Sequence, residues 1–580
     1  MKTGKADIDP ITFEVIRNAL LTAAAEMKVV VMRTSYSPIW REGGDLSCGL
    51  LTVRAELVAQ GPADLPCHLA TMPFSMRGSL EKIPIDRLRP GDILFNNAPE
   101  WGNNHLPDCL MAKPIFFRDE IICFSAVRGH WADIGGIGPG SYSTVTTEYL
   151  QEGLRIPPVK IYKEGKISEE LVELILANTR GRSQRLGDLR AQYAGCIVGE
   201  RKVIALLEKY GRDTVLSCME ETLDHSERLT RAEIEKIPDG TYCFTDYCDG
   251  DGVTDDPIKI QLALKIDGSN VVVDFTGTQK QVLGGMNAPL SVTASSVQFA
   301  IKAATDPWNT TNSGCYRAVR IIAPKGTVVN PILPASVIAG NHETAMTIVT
   351  AVFGALDQAS KANPERVIAA GSGSSVAMVF AGRDYTLEKQ DNYYIFLAIQ
   401  GGSWGARYDK DGINAMRDGV GNTGNTPVEV VETEYPIMIE SYELVTDGGG
   451  PGRFRGGLPA RRMFRILKDS TFSITAERGR FSPYGLWGGR GGVCAEFILN
   501  PGTDREKVLF TKTAPCMIKA GDVLSARSAG GGGFGNPMER DPSKVLIDVI
   551  NGYVSLESAE RDYGVILNAD RNEIIEVKRR

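Results

Sequence analysis

The chain opens on a helical pattern. Val15, Ile16, Leu20, Ala23, Met27, Val30 and Val31 recur at helical spacing, the stripe of a core-facing helix. Asp9 suits its N-cap, and Pro10 fits the first helical position. Between residues 45 and 145 the pattern changes. Short apolar runs such as Leu50-Leu51-Thr52-Val53 and Ile121-Ile122-Cys123-Phe124 read as strands. Gly102-Asn103-Asn104 and the glycine-rich stretch from Gly135 to Gly140 read as loops between them. Helical periodicity returns over about 168–180 and 187–235. There Leu206, Leu207, Val215, Leu216, Met219 and Leu223 form the apolar stripe and Gly211 is a break.

Ile237-Pro238-Asp239-Gly240 marks a turn and a domain boundary. Beyond it, 260–266 and 271–275 read as paired strands around an Asp267-Gly268 turn, followed by helices near 290–305 and 343–360. The last third is crowded with glycine: Gly448 to Gly450, Gly456-Gly457, Gly488-Gly489 and Gly530 to Gly533, with a final helix near 542–551. No internal repeat or low-complexity linker interrupts the chain. The expected fold class is α+β: a large integrated multi-domain body with mixed sheets, helical segments and a glycine-rich, β-rich C-terminal domain. The expected divisions are 1–236, a domain carrying the candidate metal site; 237–430, a central α/β domain; and 431–580, the glycine-rich β domain.

Length and charge narrow the function. A chain of 580 residues, 43% hydrophobic and 23% charged, has ordinary globular composition and can bury a large core. A formal net charge of −7 supplies no basic field for nucleic acid or anionic lipid. The first residues lack the apolar core of a signal peptide, and Val29 to Met32 falls far short of the ~20 residues that span a bilayer. A cytoplasmic protein with no membrane partner is expected. The eleven cysteines are irregularly spaced and form no C-x-x-C pair, so they read mainly as small core residues in a reducing compartment.

Histidine is scarce at five residues, which makes two of them conspicuous. Asn104-His105-Leu106-Pro107-Asp108 is followed by Arg128-Gly129-His130-Trp131-Ala132-Asp133. His105 and Asp108 are three apart, so one turn can aim both at a common centre, and His130 after a short strand can close the site. Two imidazoles and a carboxylate suit Zn²⁺, Mn²⁺ or Fe²⁺, with positions left for water or substrate. Asp45, in an earlier Gly-Gly-Asp loop, is a fourth candidate ligand. The two-histidine, one-carboxylate pattern of non-haem iron oxygenases fits less well, because its second histidine lies much further along the chain.

Other motifs carry less. Asp249-Gly250-Asp251-Gly252 resembles the start of a calcium loop, but Thr254 and Ile260 stand where glycine and glutamate are needed, so it reads as a turn. The run from Ala529 to Gly535 could cradle an anion, but no Lys-Ser/Thr follows, and tight backbone packing is the preferred reading. Gly371 to Ser375 lacks nucleophile-elbow spacing and reads as a loop. Nothing resembles a nucleotide site, so a reaction that needs ATP requires another subunit.

Taken in order, several blocks resemble the B (beta-type) subunit of the hydantoinase/oxoprolinase family. They include Asp9-Pro10-Ile11-Thr12-Phe13-Glu14-Val15-Ile16-Arg17, His105-Leu106-Pro107-Asp108, Gln151-Glu152-Gly153-Leu154-Arg155 and Asp274-Phe275-Thr276-Gly277-Thr278. Arg453-Phe454-Arg455-Gly456-Gly457 and Gly531-Gly532-Gly533-Phe534-Gly535-Asn536-Pro537 continue the series. The resemblance implies a divalent metal, zinc foremost with manganese or iron as alternatives, held by His105, Asp108 and His130 and joined by Asp45. Asp45 then ligates or acts as base, Asp133 orients a ligand, and His68 is either a core residue or a substrate contact. Trp131 stands where relatives often have a second histidine, Ala98-Pro99 where they have Asp-Pro, and His342 is assigned no role.

The resemblance also implies an A-type, actin/hexokinase-like ATPase partner in a hetero-oligomer. That partner binds ATP and phosphorylates a carbonyl oxygen or bicarbonate. The leading expectation is the metal-containing subunit of an ATP-dependent cyclic amide hydrolase, of hydantoinase, lactamase or oxoprolinase type. The alternatives are a subunit of an ATP-dependent ketone carboxylase using bicarbonate, and a non-catalytic scaffold for the ATPase.

Overall fold

The computed structural model describes residues 8–360, 364–383, 393–568, 570–571 and 573–578. Its N-terminal part comprises α1 (Pro10–Thr34), α2 (Pro38–Arg41), β1 (Leu46–Thr52), β2 (Leu57–Gln60), α3 (Pro66–Leu69), α4 (Met72–Lys82) and β3 (Ile93–Asn96). It continues through β4 (Asp108–Phe117), β5 (Glu120–His130), β6 (Val159–Lys163), β7 (Lys166–Ile167), α5 (Glu169–Ala177), α6 (Arg182–Tyr210) and α7 (Arg212–Ile234). Asp9 caps α1 as expected, its carboxylate accepting from Thr12 N at 2.9 Å. Ile16, Leu20, Ala23, Met27 and Val31 form the buried face of that helix. α6 lies against it at close range, because a Cβ on Gly195 would stand 2.5 Å from Val31 Cγ2. Gly211, with φ +79°, separates α6 from α7.

The seven strands pair in the order β2-β1-β5-β4-β3-β6-β7, with every pairing antiparallel. Cys109, Met111 and Val127 face the main core with α1 and α6, while Leu110, Ala112 and Ala126 pack with Leu69, Met72 and Met76. Burial on both faces explains why these strands read as continuous apolar runs rather than an alternation. The helix α4 is not legible in the sequence. It carries Pro73, Gly78 and three weak or hydroxylated positions, and Gly78 is there because a Cβ would meet Trp101 O at 2.2 Å.

A central sheet has the order β11-β10-β9-β8, from β8 (Gly240–Cys248), β9 (Ile258–Asp267), β10 (Asn270–Asp274) and β11 (Val319–Ile322). The β9–β10 turn falls at Asp267-Gly268 as expected, with Gly268 at φ +55°. Two helices pack together here, α8 (Leu290–Thr305) and α9 (Ala345–Ala359), and a π-helical turn, Gly340–Thr344, leads directly into α9.

The C-terminal part has β12 (Ala377–Arg383), β13 (Tyr393–Ile399), α10 (Val428–Glu434), β14 (Ile437–Leu444), β15 (Ala460–Ile466), β16 (Ser470–Thr475) and β17 (Glu496–Leu499). It ends with β18 (Lys507–Leu509), β19 (Lys512–Ile518), β20 (Val523–Arg527), α11 (Pro542–Ile550) and α12 (Leu556–Tyr563), followed by a short strand pair. Two sheets, β13-β12-β16-β19 and β14-β15-β20-β17-β18, share a core of Phe380, Phe396, Phe464, Phe472 and Leu524. β12 and β13 precede residue 430 but β16 and β19 follow it, so strand pairing crosses the boundary expected there. The architecture is one α+β body of several sheets and helical layers. No described helix is long and apolar enough to cross a membrane.

The glycine runs form a seam of backbone. Gly530, Gly531, Gly532 and Gly533 donate their amides to the carbonyls of Val493, Gly457, Ala370 and Arg490 at 2.8–3.0 Å. With all four donors used internally, the seam cannot cradle an anion, in line with the packing reading. All eleven cysteines are free, and eight are buried.

Arg478 ties the central sheet to the C-terminal sheets. Its guanidinium donates to Asp246 Oδ1 at 3.0 Å and Oδ2 at 2.7 Å, and both residues are buried. Burial pushes the Asp246 carboxyl up, but the charge and hydrogen bonds of Arg478 outweigh it, leaving the carboxyl below its ordinary range. Arg478→Met leaves that carboxylate without its cation and is expected to cost about 3–5 kcal/mol at neutral pH in chemical denaturation. Because the folded-state value is depressed, the penalty is fully present above the unfolded value near 3.9 and shrinks as pH falls below it.

Candidate metal centre

Antiparallel pairing builds the site. Asp108 begins β4 and His130 ends β5, and the register places them directly opposite one another. Asp45 immediately precedes β1, the other neighbour of β5, and its carbonyl accepts from His130 N at 3.0 Å. Three adjacent strand ends therefore deliver three candidate ligands to one place. Gly129 is required beside them, since a Cβ there would stand 2.2 Å from the Trp40 ring. Trp40 Nε1 in turn donates to His130 O at 2.7 Å.

Asparagines shape the loop before β4. Asn103 Nδ2 donates to Asn97 O at 2.7 Å and Asp108 O at 2.6 Å, and Asn97 Nδ2 donates to Leu106 O at 2.7 Å. The folded loop turns His105 back onto Asp108, with His105 Nε2 2.8 Å from Asp108 Oδ1. Across the site, buried Glu152 accepts from Ser336 Oγ and Val337 N at 2.6 Å and from Ile338 N at 3.0 Å. That brace holds the Ile338 carbonyl 3.0 Å from His105 Nδ1. A carbonyl only accepts, so Nδ1 carries the proton and Nε2 is the nitrogen left for a ligand role.

Four side chains converge on the Asp108 carboxylate. His105 Nε2 and His130 Nδ1 approach Oδ1 at 2.8 and 2.9 Å. His68 Nε2 lies 3.1 Å from Oδ2, which also accepts from Asn104 Nδ2. Burial pushes this carboxyl up, but the charges of His105 and His68 and the hydrogen bonds outweigh it, holding it well below the usual range. Burial likewise disfavours the His105 imidazolium, and Asp108 more than offsets that, so its value is raised. Burial, reinforced by the Asp108 and Asp45 charges, keeps the Cys67 thiol protonated, so no thiolate joins the set.

Among the described residues, His105, Asp108 and His130 bring ligand atoms within 4.8 Å of one another. The donor set of imidazoles and carboxylates fits zinc, manganese or iron(II). The fit is strengthened by His130 Nε2, which is buried without a hydrogen-bond partner.

Each expected residue has a definite place. Asp45 borders the cluster, its Oδ1 3.6 Å from His68 Nε2. His68 belongs to the cluster rather than to the general core. Arg128 donates to His68 O at 3.4 Å in the short helix α3, and ties it to α4 by donating to Thr71 Oγ1, and to Ser75 Oγ at 2.7 Å. Asp133 is a correction. It does not orient a ligand, because its carboxylate accepts from Gly135 N, Gly140 N, Arg180 N and Arg180 Nη1 at 2.9–3.0 Å. Those bonds latch the 135–140 loop to Arg180.

Sequence reasoning misses His342. Its ring lies 6.4 Å from His105 and 5.2 Å from Tyr142, between centroids. The available signal is Gly340-Asn341-His342-Glu343-Thr344, a polar run heading an apolar helix in a histidine-poor chain. Asn341 extends it into the cluster, with its Oδ1 accepting from Asn104 Nδ2 at 2.9 Å.

Comparison with known proteins places this chain in a family. The hydantoinase B/oxoprolinase description matches residues 9–537, and the chain belongs to that family. It is 34% identical to the B-type subunit of a putative D-/L-hydantoinase of Pseudomonas sp. (strain NS671), over 99% of this chain and 97% of that protein. The crystal structure of the ATP-dependent caprolactamase from Pseudomonas jessenii superposes with a TM-score of 0.89 at 32% identity, covering 97% of this chain and 98% of that one. An acetone carboxylase in its nucleotide-free structure also reaches 0.89, covering 98% of this chain and 81% of its own, but at 20% identity that likeness concerns the fold alone.

Elemental analysis after dialysis tests the ligand set. His105→Ala and Asp108→Ala are expected to abolish stoichiometric divalent metal. Asn104→Ala, which removes a donor to the carboxylate and to Asn341 but no ligand, is expected to weaken affinity by about 10–100-fold. Asp133→Ala is expected to leave the metal content unchanged.

Proposed function

We propose that this chain is the metal-containing subunit of an ATP-dependent enzyme that opens cyclic amides. The observation that carries this reading is the convergence of His68, His105 and His130 on buried Asp108 in a chain of this family. His105, Asp108 and His130 would hold the ion, with Asp45 beside them. When bound, a divalent ion supplies Lewis-acid polarisation of a carbonyl and a water of lowered pKa.

The chain's own residues fix the stage for that chemistry. Ile338 O sets the tautomer of His105, Asn104, itself held by Asn341, orients the Asp108 carboxylate, and Trp40 fixes the backbone at His130. Burial of every one of these groups excludes bulk water and strengthens each electrostatic contact. An amide resists attack because nitrogen donates into its carbonyl, and phosphorylation on oxygen removes that resonance. The chain shows no phosphate-binding motif, which supports assigning ATP to a separate A-type, actin/hexokinase-like subunit. The relatives are named as B-type and beta subunits, which supports a hetero-oligomer.

The test uses the chain co-purified with its ATPase partner, supplied with ATP, ¹³C-bicarbonate and a panel of hydantoins, lactams and ketones. Ring-opened amino acids without label are the expected products by mass spectrometry. A labelled keto acid formed from a ketone, with no ring opening, overturns the reading in favour of carboxylation.

A further inference from the structure

Resting on that reading, we propose that His342 is the proton-transfer residue of the reaction, with Glu343 as its positioning residue. His342 Nδ1 lies 2.9 Å from Glu343 Oε1. Glu343 Oε1 also accepts from Ser375 N at 3.1 Å, and Ser375 Oγ donates to His342 O at 3.2 Å. The imidazole is thus clamped on its Nδ1 side, which leaves Nε2 as the reactive nitrogen. That nitrogen is buried and has no partner. An imidazole oriented through Nδ1 by a buried carboxyl group, with a free Nε2, is the arrangement a general base requires.

Location supports the same assignment. The ring stands 6.4 Å from His105 and 5.2 Å from Tyr142, whose ring is 5.6 Å from His130. His342 therefore lies beside the candidate metal centre without sharing a hydrogen bond with any proposed ligand. It is carried on the π-helical turn at the head of α9, a local widening that recurs at functional sites. The pair is also linked through Ser375 to the wall of a cleft. Arg417 donates to Ser375 Oγ at 2.7 Å and lines a cleft of about 330 Å³ with Pro66, Leu69, Trp404 and Met416. Among the described residues Arg417 makes no ion pair; its partners are the Ser375 and Thr423 hydroxyls.

The step balances with two waters and the phosphate accounted for. Nε2 takes a proton from the first water as its oxygen bonds to the carbon of the O-phosphorylated amide, and passes that proton to the ring nitrogen, which has received the C=N electron pair. The new hydroxyl then gives up its proton through Nε2 to the nitrogen as the carbon–nitrogen bond breaks, leaving an acyl phosphate and a free amine. A second water hydrolyses the acyl phosphate to the carboxylate and inorganic phosphate, and His342 ends as it began.

The test uses the complete complex with its ATPase partner and the ring amide that wild type opens. His342→Gln is expected to lower kcat by about 10²–10⁴-fold, with KM and divalent metal content unchanged. Glu343→Gln is expected to lower kcat by a smaller factor. For His342→Ala, added imidazole or 4-methylimidazole is expected to restore turnover, and neither should rescue His105→Ala. Undiminished kcat in His342→Gln overturns the proposal. Loss of metal in that variant also overturns it, since it would make His342 a ligand, and so does failure of both imidazoles to rescue a folded, metal-loaded His342→Ala. A wild-type complex that opens no cyclic amide refutes the proposed function itself, and is distinguishable because no variant enters that result.

Discussion

A carboxylate removed from water must be surrounded by donors, and Asp108 imposes that constraint on everything around it. Its four neighbours come from α3, the loop before β4 and the end of β5, so the seven-stranded sheet has to be in register before they can meet. The Asp108–His130 pairing supplies that register, and the loop asparagines then bend His105 into place. Remote braces serve the same carboxylate. Glu152 aligns the Ile338 carbonyl with His105, and Arg128 holds the backbone carbonyl of His68. The centre is therefore a product of tertiary closure, assembled from segments that are far apart in sequence.

Much of the fold can be read from periodicity because the relevant elements bury a single stripe or end at strong punctuation. Asp9-Pro10 starts α1, Gly211 parts α6 from α7, and Asp267-Gly268 turns β9 into β10. Other elements are illegible for definite reasons. The seven-residue α10 and the glycine-containing α4 are held by surrounding packing instead of intrinsic propensity. The pairing of β12 with β16 links strands about ninety residues apart, which no local pattern reveals.

The same distinction governs the centre. His105, Asp108 and His130 are legible because β4 and β5 form a hairpin, so sequence proximity becomes spatial proximity. Asp45 is reachable because β1 is their direct neighbour in the sheet. Asp133 misleads for the converse reason. It is close to His130 in sequence, but the chain turns away after β5 and commits the carboxylate to Arg180. His342 lies more than two hundred residues beyond the hairpin and arrives through α9, so only the folded chain reveals it.

The glycine seam changes how likeness among these proteins should be read. Where Gly530 to Gly533 cross the 448–457 and 485–492 segments, backbone occupies the volume that any side chain would need. Identity at those positions is enforced by chain crossing, whatever reaction the molecule performs. Two proteins can therefore agree along the whole seam and act on different compounds. The glycine blocks report ancestry and architecture, whereas differences in activity have to be sought among the side chains around Arg417 and His342.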